Sequence, residues 1–374
     1  MSTQGIVLLL APSQDTKGTT GPAFIERHRR YAKELHGADP KNPILTIGCK
    51  SSSSPGTLIV NEPDFKVFSL GINESNFIKV AQIALATVKS NAWGIHKYVC
   101  GNPWESFFPA LLMKYVFQLR ANMQIQYHGC FYEKDWLRDS FKNRLMYLLV
   151  KFSILFGDSF RFVTNEQMQE MTKRNSKLGN KSFAVPLPTP IPTTTFSNSS
   201  AENVIGYLGR IHPERNPELW LASIEKLNLT RQDFKCVIAG SGLNEEKFIA
   251  ELINLLGSNR VSFKGHVSAN QLENFWNEIT ILLSTSGIES YGLAIREAIL
   301  RGKKCVAVTS VGARDAKENF GEAIILTQLD PSSIAQSIAI EIEAKKTNLN
   351  LKGIRNKQEI LNALYVTELV NSWR

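Results

Sequence analysis

The stretch from Ile279 to Val308 constrains the fold most. Ile279-Thr-Ile-Leu-Leu283 reads as a short buried strand and Cys305-Val-Ala-Val308 as another; a Ser/Gly-rich loop and an amphipathic helix beginning near Gly292 lie between them. Strand, loop, helix, strand is the building block of a parallel sheet, so the class is α/β. In such sheets ligands sit beyond the carboxyl ends of the strands, where helices begin and unpaired N–H groups point outward. Two glutamates stand there, Glu289 in the loop and Glu297 about a turn and a half into the helix. Paired carboxylates over that crevice suit a polyhydroxylated ligand better than a bare phosphate. Taken alone, the pair also fits a helix cap and a solvated side chain.

A chain of 374 residues exceeds what one core usually supports, so two domains are expected. The net charge of +9 lies in the first half: residues 1–190 hold 23 Lys/Arg against 14 Asp/Glu, and the remainder is balanced. That half is expected to meet something anionic, such as a membrane surface or lipid phosphate, or simply to carry a solvated basic surface. Nucleic acid is disfavoured because the basic residues are dispersed and no binding motif accompanies them. Five scattered cysteines, with Cys236 and Cys305 in apolar runs, read as reduced core residues rather than disulfides or metal ligands. The apolar run Ile6–Ala11 has no basic residue before it and is too short for a signal peptide. No apolar run approaches the roughly 20 residues of a spanning helix, and a cytoplasmic location is expected.

Gly5–Ala11 is a first buried strand, and a loop containing Gly18-Thr-Thr-Gly21 leads to a helix over Ala23–Leu35. This opens a Rossmann-like unit without the strict dinucleotide fingerprint; Gly18 and Gly21 either cradle a phosphate or only turn the chain. Further strands are expected at Pro43–Gly48, Thr57–Val60 and Lys66–Leu70, and a helix at Ser75–Val88 with Ser75 as N-cap. Met123–Tyr127 is a strand ending on His128 and Gly129, a position that faces a crevice or satisfies a histidine within the fold. Asp135–Gly157 sets Arg138, Lys142, Arg144 and Lys151 among Phe141, Leu145, Leu148, Leu149 and Phe152 at helical spacing. Its apolar stripe is that of a helix covering the sheet or of an interfacial helix on an anionic bilayer. Phe160–Thr164 and Phe183–Val185 close the domain. Pro186-Leu-Pro-Thr-Pro-Ile-Pro192 and the polar run after it read as a stiff linker.

The second half restarts with strand Val204–Leu208, then Gly209, Arg210 and Arg215, and a helix that Asn216 and Pro217 begin. Strand Lys235–Ala239, the turn Gly240-Ser-Gly242, helix Glu245–Leu256 and strand Val261–Phe263 follow. Ser268 and Gln271 form a capping box.

With Gly209-Arg210, Arg215, Gly240-Ser241-Gly242, Phe263-Lys-Gly265, Glu289, Glu297 and Gly302 in one order, residues 203–315 resemble the retaining glycosyltransferases of family 4. The resemblance implies an α/β GT-B fold, two Rossmann-like doubly wound domains facing across a cleft. The expected domains are 1–190, binding acceptor, and 201–374, binding a nucleotide sugar, with a last helix at about 355–374 packing back on the first domain. It implies a retaining hexosyltransferase acting on a polysaccharide, glycolipid or other glycan of the cell envelope. A nucleotide-sugar epimerase, or a nucleotide-sugar-binding protein without transfer, is the alternative.

No tightly bound cofactor and no metal are expected, with a UDP- or GDP-sugar as donor substrate. Arg210 and Arg215 would hold the leaving diphosphate, Glu289 the donor sugar and Glu297 the ribose. Gly292 and Leu293 would contribute backbone N–H groups, Gly240 would line the nucleotide, and His128 would stand near the reacting carbon. Peripheral contact with an anionic membrane on its inner face is a further expectation. The sequence departs from the family at Ser284-Thr285, usually Pro-Ser, at Lys304, commonly Pro, at Asn216, commonly Gly, and at Arg215, usually Lys.

Overall fold

The computed structural model describes residues 4–16, 21–72, 76–101, 103–192, 202–344 and 349–374. The chain divides into two compact units, one of residues 1–132, 140–186 and 363–374, the other of residues 133–139 and 187–362.

The first unit is built on β1 (Gln4–Asp15), β2 (Ile44–Lys50), β3 (Leu58–Asn61), β4 (Phe65–Ser69), β5 (Trp93–Cys100), β6 (Asn122–Tyr127), β7 (Ser159–Phe162) and β8 (Ser182–Ala184). They form one sheet in the order β3-β4-β2-β1-β5-β6-β7-β8, parallel except for the β3–β4 pair. β1 and β2 pair in register from Ile6 opposite Ile44 to Ala11 opposite Cys49, and their buried side chains make the centre of the core. Leu369, Val370 and Trp373 pack into the same cluster, and Trp373 Nε1 donates to Gln124 Oε1 at 3.0 Å. Strand β5 escaped the sequence reading.

The second unit holds β9 (Asn203–Leu208), β10 (Phe234–Ala239), β11 (Val261–Phe263), β12 (Ile281–Ser284), β13 (Lys304–Val308) and β14 (Ile324–Thr327). All pairs are parallel, in the order β11-β10-β9-β12-β13-β14. Both faces of the sheet are covered, Ile205 and Tyr207 packing on Trp220 and Phe248 on one side, Val204 and Leu282 on Phe275 and Trp276 on the other. Strands buried on both faces read as continuous apolar runs, and these do.

Several local expectations hold. Asn216 caps helix Pro217–Thr230 by accepting from Leu219 N, and the Ser268–Gln271 capping box is present. Helix Glu245–Leu256 has the expected bounds. Others are corrected. The helix placed at Ser75–Val88 runs Phe77–Ser90; its cap is Asn76, whose side chain accepts from Ile78 N and Lys79 N. Ser75 lies outside the described residues. The helix expected over Asp135–Gly157 is two, Lys134–Asp139 and Phe141–Ser153, because extended Ser140 interrupts it and caps the second by accepting from Asn143 N. The five cysteines are buried and free, and burial pushes the Cys100 thiol up to about 12.

Candidate active site

In the second sheet the strand order reverses between β9 and β12, the place where doubly wound sheets open a crevice beyond their strand ends. The loop leaving β9 carries Gly209, Arg210 and the short turn Pro213–Arg215. The loop leaving β12 carries Thr285 to Gly292. The structure brings the two loops together: the Arg215 guanidinium forms an ion pair with the Glu289 carboxylate across 74 residues of sequence.

Hydroxyl groups at the end of β12 fasten this meeting. Buried Thr285 donates to the carbonyls of Arg215, at 2.8 Å, and Asn216, at 3.0 Å. Buried Ser286 donates to Glu214 O at 2.9 Å. Arg210 extends into solvent and pairs with Glu214 at 2.9 Å, so it is near the turn but not in the Arg215–Glu289 pair.

The loop from Glu289 to Gly292 is pinned on its other side. Gly312 N donates to Glu289 O at 2.7 Å, and Tyr291 Oη donates to Leu187 O at 2.8 Å. Arg296, buried on the next helix, donates from Nε to Tyr291 O at 3.0 Å, stacks over the Tyr291 ring and pairs with Asp315. Gly292 takes φ +71, a left-handed conformation that costs glycine little, and starts helix Leu293–Leu300. First-turn N–H groups have no partner within a helix, so Leu293 offers donors at this end.

Glu297 sits on the second turn of that helix, half-buried. Among the described residues no hydrogen bond or ion pair reaches its carboxylate; Arg301 pairs with Glu273 instead, while its Nη1 donates to the Glu297 carbonyl at 3.1 Å. Desolvation raises the Glu297 pKa above the usual carboxylate value, the Arg301 cation opposing and Glu273 assisting.

Gly240 has φ +153, and a Cβ there would collide with the carbonyl of Gly209; Ile211 N donates to Ser241 O at 3.0 Å. The loops after β9 and β10 thus interlock backbone to backbone, which by itself requires glycine. In the first unit a Cβ on Gly21 would strike the carbonyls of Asp15 and Thr16, so Gly21 is also a close-approach position. Gly18 lies outside the described residues.

His128 lies in the first unit, just past β6. Its Nε2 is 3.2 Å from Gln126 Oε1, which also accepts from buried Arg161 Nη1 at 3.0 Å. Gln126 Nε2 donates to Gln124 Oε1, which orients the amide and assigns the His128 proton to Nε2. Burial, with Arg161 and Arg27 nearby, lowers its pKa to about 3, so the ring is neutral at physiological pH.

Sequence reasoning missed Thr285 and Ser286 as fasteners, Gly312, Arg296 and the Gln126–Arg161 support. Segment Lys134–Asp139 was also unforeseen in the second unit, where Arg138 joins Glu214, Asn216, Gly287, Ile288 and Leu329 in lining a cavity of about 440 Å³.

Comparison with known proteins fits this geometry. Residues 195–358 match the family described as glycosyl transferases group 1. A D-inositol 3-phosphate glycosyltransferase of Mycobacterium ulcerans is 31% identical over 112 residues, 30% of this chain. The chain spans about a quarter of that relative's length, 24%. Among solved structures, a sucrose-phosphate synthase from Thermosynechococcus elongatus superposes with TM-score 0.74 at 14% identity over 99% of this chain and 98% of that one. The HepE protein of Anabaena, in complex with UDP and glucose, superposes with TM-score 0.65 at 16% identity over 98% of each chain. The fold is the α/β GT-B class, two Rossmann-like units.

Proposed function

We propose, for a chain whose residues 195–358 match the glycosyl transferases group 1 family, that the protein transfers a hexose-type sugar from a UDP- or GDP-sugar to a glycan or glycolipid acceptor with retention of configuration. The observation that supports it most is the Arg215–Glu289 pair at the strand-order reversal of the second unit: a fixed cation and a fixed carboxylate at one ligand position.

In this reading the departing nucleoside diphosphate meets Arg215 and Arg210, whose charge favours the developing negative charge over the intact donor. The backbone N–H groups at Gly292 and Leu293 add oriented dipoles. The Glu289 carboxylate accepts from the donor-sugar hydroxyls and the Glu297 carboxylate from the ribose hydroxyls. Gly240, and the Gly18 and Gly21 loop of the first unit, keep backbone close to bound ligand. His128 serves as a neutral hydrogen-bonding group beside the sugar, since its lowered pKa leaves no imidazolium. The leaving phosphate takes the acceptor's proton, so no strong base is needed. The solved relative bound to UDP and glucose supports the donor class. The first unit is assigned to the acceptor and the second to the donor.

The test is release of free nucleoside diphosphate from a panel of UDP- and GDP-sugars with glycan and glycolipid acceptors. Wild type is expected to release it, Glu289→Ala to lose release, and Arg210→Ala to release it more slowly, both variants keeping the wild-type circular dichroism spectrum. Full turnover in either variant removes that residue from the site. Conversion of donor to an isomeric nucleotide sugar, with no acceptor present, would replace transfer by epimerisation.

Glu297 gives a second expectation with two opposed signs. Its folded pKa is raised, so the native state holds its proton more tightly than the unfolded chain. Stability from this group is therefore full below the unfolded pKa and falls as pH rises through the folded one. At neutral pH the desolvated carboxyl group is a burden, and Glu297→Gln should melt no lower than wild type. Donor affinity should fall about tenfold or more in the same variant, the usual worth of hydrogen bonds to a charged group. Thermal unfolding at pH 7 and donor titration check the two; a variant that melts lower and binds donor normally contradicts both.

A further inference from the structure

Helix Phe141–Ser153 covers the first sheet with one face, and its most apolar face points away from the protein. Asn143, Val150, Ser153 and the following Ile154 are buried. Phe141 is 81% exposed, Leu145 50%, Leu148 59%, and Phe152 and Leu155 are exposed as well. At about 100° per residue Phe141, Leu145, Leu148 and Phe152 fall on a single line of the helix, opposite the buried one, and Leu155 follows just past its end. Of the two readings its spacing allows, the stripe therefore does not take the one in which it covers the sheet.

The stripe continues into an aromatic surface. Phe152 stacks on Phe108 with centroids 6.4 Å apart, Phe108 meets Phe77 at 5.6 Å, and Tyr115 meets Phe156 at 6.0 Å. Phe77, Ile78, Tyr115 and Val116 are themselves exposed. Cations flank the line on both edges, Lys142 on one and Arg144 and Lys151 on the other, and residues 141–155 contain no acidic side chain. Large contiguous exposed apolar patches mark an interaction site. Among the described residues no helix is long and apolar enough to cross a membrane.

We propose that this face is a bilayer-docking surface: the line Phe141, Leu145, Leu148, Phe152 and Leu155 enters the boundary between headgroups and acyl chains of an anionic membrane while Lys142, Arg144 and Lys151 contact lipid phosphates. The charge pattern selects this occupant. Exposed apolar residues edged by cations, without carboxylates, match an interface that is apolar within and anionic at its rim. The excess positive charge of residues 1–190 acts in the same direction at longer range. The proposal goes beyond the transferase reading and does not depend on it, since docking needs neither donor nor acceptor.

The test is co-sedimentation of the full chain with vesicles of equal parts phosphatidylglycerol and phosphatidylcholine, and with phosphatidylcholine alone, in the absence of nucleotide sugar. Wild type should partition onto the anionic vesicles and only weakly onto the neutral ones. The double variant Lys142→Ser/Lys151→Ser should lose about 25-fold in partition, at about fivefold per cation. Phe141→Ser/Leu148→Ser, at exposed positions outside the proposed site, should lose at least tenfold with unchanged thermal unfolding. Wild type remaining in the supernatant, or binding that ignores both variants, overturns the proposal. So does a wild-type dimer on size exclusion that the Phe141→Ser/Leu148→Ser chain fails to form, because the occupant is then a second copy. Loss of vesicle binding with intact nucleoside diphosphate release, or the reverse, separates this surface from the transfer reading.

Discussion

Arg215→Ala should lower the rate of nucleoside diphosphate release about 100- to 1000-fold at saturating donor, the cost of removing one fixed donor from a developing anion. Arg215 is expected to matter more than Arg210 because of where it is held. Its guanidinium pairs with Glu289, its carbonyl accepts from buried Thr285, and its turn is fastened again by Ser286. Arg210 lies in solvent on Glu214. Removing the Arg215 side chain takes away a cation and also the group that orients Glu289, so two contacts to the donor fail together. Arg215→Lys keeps the charge and loses the fork that grips two oxygens. It should retain all but about tenfold of the rate, within the usual range for a charge-assisted hydrogen bond. Steady-state turnover of the three chains checks this; an Arg215→Ala chain within threefold of wild type would move the leaving group elsewhere.

Gly312→Ala should be among the most damaging single methyls in the second unit. A Cβ there would stand 2.5 Å from Tyr291 C, 2.6 Å from Gly292 N and 2.7 Å from Tyr291 N, all backbone atoms that cannot rotate aside. The Gly312 N–H also holds the Glu289 carbonyl at 2.7 Å. Overpacking of a tight site costs about 1–3 kcal/mol, and the rigid neighbours place this case at the upper end. The strain is relieved only by moving the loop that carries Glu289, so turnover should fall at least tenfold with the melting temperature. Gly287→Ala is the control in the same loop: its nearest neighbours are Leu329 side-chain atoms at 3.8 and 3.9 Å, and it should unfold as wild type does. Equal melting of the two variants would contradict this account of the loop.

The contrast between these glycines shows what sequence can carry. The β12 strand, the helix beginning at Gly292 and the Asn216 cap were legible because each is decided within a few residues, by apolar runs and by side chains that reach neighbouring N–H groups. The Arg215–Glu289 pair was legible only through the ordered resemblance of many weak motifs, since nothing local to either residue names a partner 74 positions away. Gly312 gave no signal, because a glycine near a helix start is unremarkable until another backbone is seen against it. The direction of the Phe141–Ser153 stripe stayed open for a different reason. Periodicity shows that a helix has an apolar face but not which side meets the protein, and here Val150 and Ile154 supply a second apolar side that is the buried one. The broken helix at Ser140 and the missed strand Trp93–Cys100 are smaller cases, a cap inside an amphipathic run and a strand interrupted by His96 and Lys97.

The central claim is that the crevice between β9 and β12 holds a nucleotide sugar through Arg215 and the two glutamates. Isothermal titration of UDP, GDP and their hexose conjugates into wild type, Arg215→Ala, Glu289→Ala and Glu297→Gln tests it most directly. The account predicts that one nucleotide series binds wild type. Arg215→Ala should weaken the free nucleotide and, because Glu289 loses the group that orients it, the conjugate at least as much; Glu297→Gln should weaken the two alike. Glu289→Ala should weaken the conjugate more than the free nucleotide. Equal affinity in all four chains, or no binding of either series to wild type, would contradict it.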